Sequence, residues 1–182
     1  MKTQDLQAGI KTNTLNILNV NKTLCMKDRM ITFYMGLAHQ CSEMSRAKRL
    51  HVGAVIVKDD NIISFSWNGT PSGWDNDCEN DYIYEDGISQ LVTKPEVLHA
   101  ESNSISKLAK SPNSGLGASL FCTHQPCLDC AKLVYQAGIS SVYYEEEYRN
   151  NDGIEFLKKC NIEITHVKKQ WSGTPAEIYN DI

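Results

Sequence analysis

His99-Ala100-Glu101 and, two dozen residues further on, Pro126-Cys127-Leu128-Asp129-Cys130 restrict this chain more than anything else in it. The two segments carry three side chains of the kind that hold zinc, so the fold must bring two distant stretches together. Cys127 and Cys130 are spaced i, i+3, and a helix starting near Cys127 puts both sulfurs on one face. Pro126 suits the position at or just ahead of a first helical turn, where a missing N–H costs nothing. A helix N-terminus also stabilises anions, which favours both thiolates. With His99 as a neutral imidazole, three protein ligands leave one tetrahedral position for water, as in a catalytic zinc site.

Glu101 follows His99 by two residues, at the start of a second expected helix. Its carboxylate can sit beside the metal without binding it and move protons, a role worth roughly 10²–10⁴-fold. Two other readings stay open. Cys122 or His124, alternating along a strand before Cys127, could close a four-ligand structural zinc site. Cys-x-x-Cys by itself also fits a redox pair, although no thioredoxin pattern surrounds it.

At 182 residues the chain is most simply one domain with a core of its own. Its net charge is −4, and its densest basic stretch is the Arg46–Arg49 neighbourhood, which argues against a broad nucleic-acid footprint. Seven cysteines, irregularly spaced and without a secretory signal ahead of them, fit a reducing cytoplasmic setting. Apart from the two expected ligands, Cys25, Cys41, Cys78, Cys122 and Cys160 read as core residues or bystanders. No apolar run approaches a membrane span.

Residues 1–25 are polar and aperiodic, an expected N-terminal extension. Residues 26–182 then form the domain. Met30, Tyr34, Leu37, Cys41 and Met44 predict a helix from Lys27 to about Ser45 with that stripe against the core. Val52–Val57 and Ile62–Trp67, joined by Lys58-Asp59-Asp60-Asn61, predict a β-hairpin. Asn68–Gly73 is a loop, and 74–98 reads as an irregular acidic insertion over the active site. Helices are expected over His99–Ala109, Cys127–Ala137 (ended by Gly138) and Asp152–Cys160. Strands are expected over Leu120–His124, Ser141–Tyr144 and Ile162–Val167. The order predicts an α/β fold, a three-layer α/β/α arrangement around a mixed five-stranded sheet, with both ligand-bearing helices on one face.

The motif His-x-Glu with Pro-Cys-x-x-Cys is the signature of zinc deaminases of nucleobases. The similarity extends further. Val52-Gly53-Ala54-Val55-Ile56-Val57, Trp67-Asn68-Gly69-Thr70-Pro71, His99-Ala100-Glu101-Ser102-Asn103-Ser104-Ile105, Pro126–Lys132 and Gln136-Ala137-Gly138-Ile139 resemble the deoxycytidylate (dCMP) deaminases. These belong to the cytidine deaminase-like superfamily. The resemblance spans roughly Val52 to Val167 and implies hydrolysis of dCMP to dUMP and ammonia in the cytoplasm (the host's, for a viral member). It implies Zn2+ on His99, Cys127 and Cys130, with Glu101 as proton shuttle. It also implies a homo-oligomer, commonly a hexamer, activated by dCTP and inhibited by dTTP, with Mg2+ on the effector.

Carried onto this sequence, Asn68 falls where related deaminases contact the sugar hydroxyl, although Asn-Gly is also a favoured turn pair. Asn103 either helps hold phosphate or fastens a loop. Tyr148 aligns with a tyrosine that faces the nucleotide, against the plainer reading of a strand-end tyrosine. Gln125 replaces the usual Ser or Phe, and either touches the base or points to solvent. Arg46, Lys48 and Arg49, with Asn68 and Gly69, are the expected site for an allosteric triphosphate, or else a solvated helix end. Rival readings are a deaminase of tRNA adenosine, guanine, free cytidine or dCTP, and a non-catalytic module binding zinc and dNTPs.

Overall fold

The computed structural model describes residues 26–83, 87 and 89–168; the expected extension at 1–25 and residues 169–182 lie outside these. Helix α1 (Asp28–Ser42) leads into the hairpin β1 (Gly53–Lys58) and β2 (Asn61–Trp67). Asp59 and Asp60, at φ 50° and 59°, form the two-residue turn with both positions left-handed, the type whose twist matches a hairpin. A second hairpin, β3 (Glu79–Ile83) and β4 (Ser89–Thr93), occupies the segment expected to be irregular. Its strands, Glu-Asn-Asp-Tyr-Ile and Ser-Gln-Leu-Val-Thr, are mostly exposed and polar, so they carry no buried alternation to read.

The remainder alternates: α2 (Ala100–Leu108), β5 (Ser119–His124), α3 (Leu128–Gln136), β6 (Ser141–Glu146), α4 (Asp152–Lys159) and β7 (Glu163–His166). One mixed sheet results, in the order β2-β1-β5-β6-β7. The β1–β2 and β1–β5 pairs are antiparallel, and β5–β6 and β6–β7 are parallel. This is the expected three-layer α/β/α fold. Along β5 the side chains alternate between two cores, as a strand buried on both faces requires. Leu120 and Cys122 pack with Ala100, Leu108, Val134 and Leu157 of α2, α3 and α4. Phe121 packs on the other side with Tyr34, Met35 and Ala38 of α1, and stacks on Tyr143 with centroids 4.5 Å apart.

The expected stripe of α1 holds in part: Tyr34 is in the core with Met30, Leu37 and Cys41 half-buried against it, but the fully buried line is shifted. Tyr34, Met35, Ala38 and Ser42 are buried, whereas Met44 is 57% exposed. Gly53 is the cause. A Cβ there would lie 1.9 Å from the Ala38 carbonyl oxygen and 2.6 Å from the Ser42 nitrogen, so helix and strand meet backbone to backbone. Small residues must take the centre of that contact, which turns Leu37, Cys41 and Met44 toward an apolar cavity beside β2.

Replacement Gly53→Ala is therefore expected to cost about 3 kcal/mol, the upper range for overpacking a core. The midpoint of urea unfolding reads this directly. A midpoint within error of the parent's would mean that α1 does not depend on this close approach.

Candidate active site

Both ligand-bearing segments sit at helix starts. His99 is the N-cap of α2, with φ −71° and ψ 153°, and Cys127 is the N-cap of α3, with φ −68° and ψ 169°. Neither side chain caps its own helix, so each is left to turn toward the other. His99 Nδ1 lies 3.5 Å from Cys127 Sγ and 3.5 Å from Cys130 Sγ. A tetrahedral zinc with bonds of about 2.3 Å to sulfur and about 2.05 Å to nitrogen needs an N···S separation of about 3.6 Å. The donor set fits the metal.

Several contacts hold the two helices in this register. Ser66 Oγ donates to the Ala100 carbonyl at 2.6 Å and Ser64 Oγ to the Ser104 carbonyl at 2.7 Å, seating α2 on β2. Asn103 Nδ2 donates to the Trp67 carbonyl at 3.1 Å, which makes it a clamp for the same helix. On the other side Gly153 of α4 comes so close that a Cβ would be 2.1 Å from the Pro126 carbonyl oxygen. The site opens at the C-terminal ends of the parallel strands β5 and β6, where open α/β sheets place their ligands.

The electrostatics favour a cation. The Cys130 thiol donates to Cys127 and, with His99, pulls the Cys127 thiol down to about 4. The same sharing raises Cys130, and the Cys127 sulfur raises His99. Glu101 is 4% exposed, and burial pushes its carboxyl up to about 7. Cys122, a possible fourth ligand on sequence grounds, is fully buried in the core beneath α2 and α3. Among the described residues the group within ligand distance of one another is His99, Cys127 and Cys130, with ligand atoms all within 4.8 Å. Among the described residues no fourth ligand joins this group, which leaves a three-ligand arrangement.

His99, Glu101 and Cys127 line a cavity of about 380 Å³ together with Asn68, His124, Gln125, Tyr148, Arg49 and Arg149. Asn68 is in the wall, but Oδ1 accepts from Val52 N at 2.9 Å and Nδ2 donates to the Leu50 carbonyl at 2.8 Å. Gly69 pairs with Leu98 through two backbone hydrogen bonds. Gln125 donates through Nε2 to the Asn150 carbonyl, and its buried Oε1 has no hydrogen-bond partner. Arg46 is exposed and outside the cavity wall, and Lys48 Nζ is 4.0 Å from Asp77. Arg149, His124, Glu79 and Thr93 line the cavity and were not singled out as its wall from sequence. Only His124 had a signal, its place one strand residue ahead of Gln125-Pro126-Cys127.

Residues 29–146 match the family described as the cytidine and deoxycytidylate deaminase zinc-binding region. The chain belongs to that family. It is 31% identical over 173 residues to the deoxycytidylate deaminase of Enterobacteria phage T4, covering 74% of this chain and 88% of that protein. ComE operon protein 2 of Bacillus subtilis is 33% identical over 141 residues, covering 75% and 70%. Among solved structures, the dCMP deaminase of cyanophage S-TIM5 in complex with dCMP and dUMP is 46% identical. It superposes with a TM-score of 0.70 over 78% of this chain and 99% of that one. No helix among the described residues is long and apolar enough to cross a membrane.

Gly153 is where packing and metal affinity meet. Gly153→Ala is expected to shift the Pro126-Cys127 turn and weaken zinc binding about tenfold, comparable to losing a supporting contact behind a ligand. Competition with a chromogenic chelator measures this. Zinc affinity equal to the parent's would show that the turn can move without its sulfur.

Proposed function

We propose that this protein hydrolyses dCMP to dUMP and ammonia, replacing the 4-amino group of the pyrimidine by the oxygen of water. The observation that carries this reading is the buried carboxylate of Glu101 beside an open three-ligand cluster in one cavity. The likeness to a structure that holds dCMP and dUMP supports the choice of substrate. His99, Cys127 and Cys130 would hold zinc, which supplies a nucleophile at neutral pH by lowering the pKa of bound water to roughly 7.

The chain's own contribution is proton traffic and enclosure. Glu101, whose carboxyl is pushed up by burial, is placed to act as both base and acid. It takes a proton from the attacking water and passes it to the ring nitrogen next to C4, then takes the remaining proton of the added hydroxyl and passes it to the departing amine. A shuttle of this kind needs a pocket that bulk water does not flood, and Glu101 sits in one. Gln125, whose Oε1 lacks a donor, and Tyr148 belong to the same wall and would contact the nucleotide.

Activation by dCTP with Mg2+, inhibition by dTTP, and assembly into a homo-hexamer complete the reading. The edge strand β2 supports an assembly, because Ile62 and Phe65 on it are 44% and 53% exposed. A polynucleotide substrate is disfavoured by the net charge of −4.

Ultraviolet assays of zinc-loaded protein should show turnover of dCMP well above that of CMP, deoxycytidine or dCTP. Glu101→Gln should retain one zinc per chain and lose at least about 10²-fold in kcat. Turnover by that variant near the parent rate would remove Glu101 from the mechanism. Inactivity of the parent on all four substrates would remove dCMP.

A further inference from the structure

On the α1 side of the sheet the outermost strand is left partly bare. Phe65 lies opposite Val55 and Trp67 opposite Gly53, so both aromatic side chains point to that side. With Leu37, Cys41 and Met44 of α1 and Ile62 of β2 they bound an open apolar cavity of about 680 Å³, larger than the catalytic one. No acidic side chain among the described residues lines it. Its one charge is Lys107, whose Nζ reaches over from α2, donates to the Phe65 carbonyl at 3.2 Å and lies 4.8 Å from the centroid of the Trp67 ring. Contiguous apolar surface of this kind marks a contact site.

The chain enters α1 beside this groove. Met26 packs with Tyr34, Val55 and Val57 on the same face. Tyr34 Oη donates to the Asp60 carbonyl at 3.1 Å, whereas the Ser42 nitrogen lies against Gly53. Helix α1 thus runs along the hairpin from its turn to its open end, and residues 1–25 join it where β2 begins. The extension is polar as a whole, but its large apolar residues collect in 15–24, at Leu15, Ile17, Leu18, Val20 and Leu24. The one charge in that stretch is Lys22, and the turn at that end of the groove carries the exposed Asp59 and Asp60. Ten residues reach up to about 35 Å, and the seven of β2 span about 24 Å. A tether this short gives a local concentration on the order of millimolar, which favours the chain's own segment over a second copy.

We propose that residues 15–24 cover the groove between α1 and β2 of their own chain, with apolar side chains against Met44, Ile62 and Phe65 and Lys22 toward Asp59 and Asp60. The extension is then part of the domain, and Ile62 and Phe65 pass from contacts between copies to a contact within one chain. Nothing in this depends on which nucleotide the catalytic cavity takes.

Cys41 reports on the groove, and Cys160, also half-buried but at the end of α4, serves as its control. Iodoacetamide labelling of the zinc-loaded full chain, read by peptide mass spectrometry, should be slow at Cys41. Deletion of residues 2–24, or the combined Leu15→Asn, Ile17→Asn, Leu18→Asn and Val20→Asn, should speed Cys41 at least about tenfold and leave Cys160 unchanged. Equal Cys41 rates in parent and variants overturn the proposal. So does protection that vanishes on dilution together with a fall in sedimentation mass, which would give the groove to a second copy. Trypsin on the unaltered chain supplies a reading that needs no variant. Cleavage after Lys11, outside the covered stretch, should outpace cleavage after Lys22 by about tenfold or more. Equal cleavage at the two sites overturns the proposal as well.

Discussion

Everything in this protein is arranged around the approach of two helix N-termini. One nitrogen and two sulfurs, delivered by segments 28 and 31 residues apart in sequence, come within 4.8 Å of one another. Two thiolates at that spacing repel, so the positive ends of α2 and α3 and a dication are needed to hold them. The fold meets this by fixing each helix independently. Serines of β2 hold α2 through its carbonyls, and α4 presses Gly153 against the turn that carries Cys127. A displacement of about 0.5 Å matters at such a site. That explains why hydrogen bonds and backbone contact hold these helices where loose apolar packing would not suffice.

What was legible in the sequence follows from how local its cause is. The ligand set and Glu101 could be read because residue type and spacing determine the chemistry. The strands β1, β5 and β6 announced themselves as apolar runs, since a sheet covered on both faces must bury nearly every side chain. The face of α1 could not be read that way. Its hydrophobic stripe was real, but the missing Cβ of Gly53 let Ala38 and Ser42 take the contact. Periodicity counts apolar residues and cannot see how near two backbones come.

The polar side chains were the hardest to assign. Asn68 and Asn103 sit in motifs that resemble a nucleotide-binding family, yet both spend amide groups on the backbone, at Leu50, Val52 and Trp67. Sequence shows that an amide is present and not which atoms it faces. The hairpin β3–β4 was missed for a related reason. Polar on both faces, it has no period to detect, and two strands alone are marginal in water.

That hairpin persists because it is tied to the cavity wall. Cys78 is buried at its base, where its carbonyl accepts from Lys94 N, and Lys94 Nζ reaches Asp77 at 2.8 Å. Gly69 and Leu98 exchange backbone hydrogen bonds beside it, and Asn68 fastens the same loop to residues 50–52. The reacting end of the cavity is thus built on packed helices and strands, whereas its outer wall is a chain of polar contacts between loops. The ligand helices rest on contacts to β2 and α4, and the outer wall on contacts among Lys94, Asp77, Asn68 and Leu98.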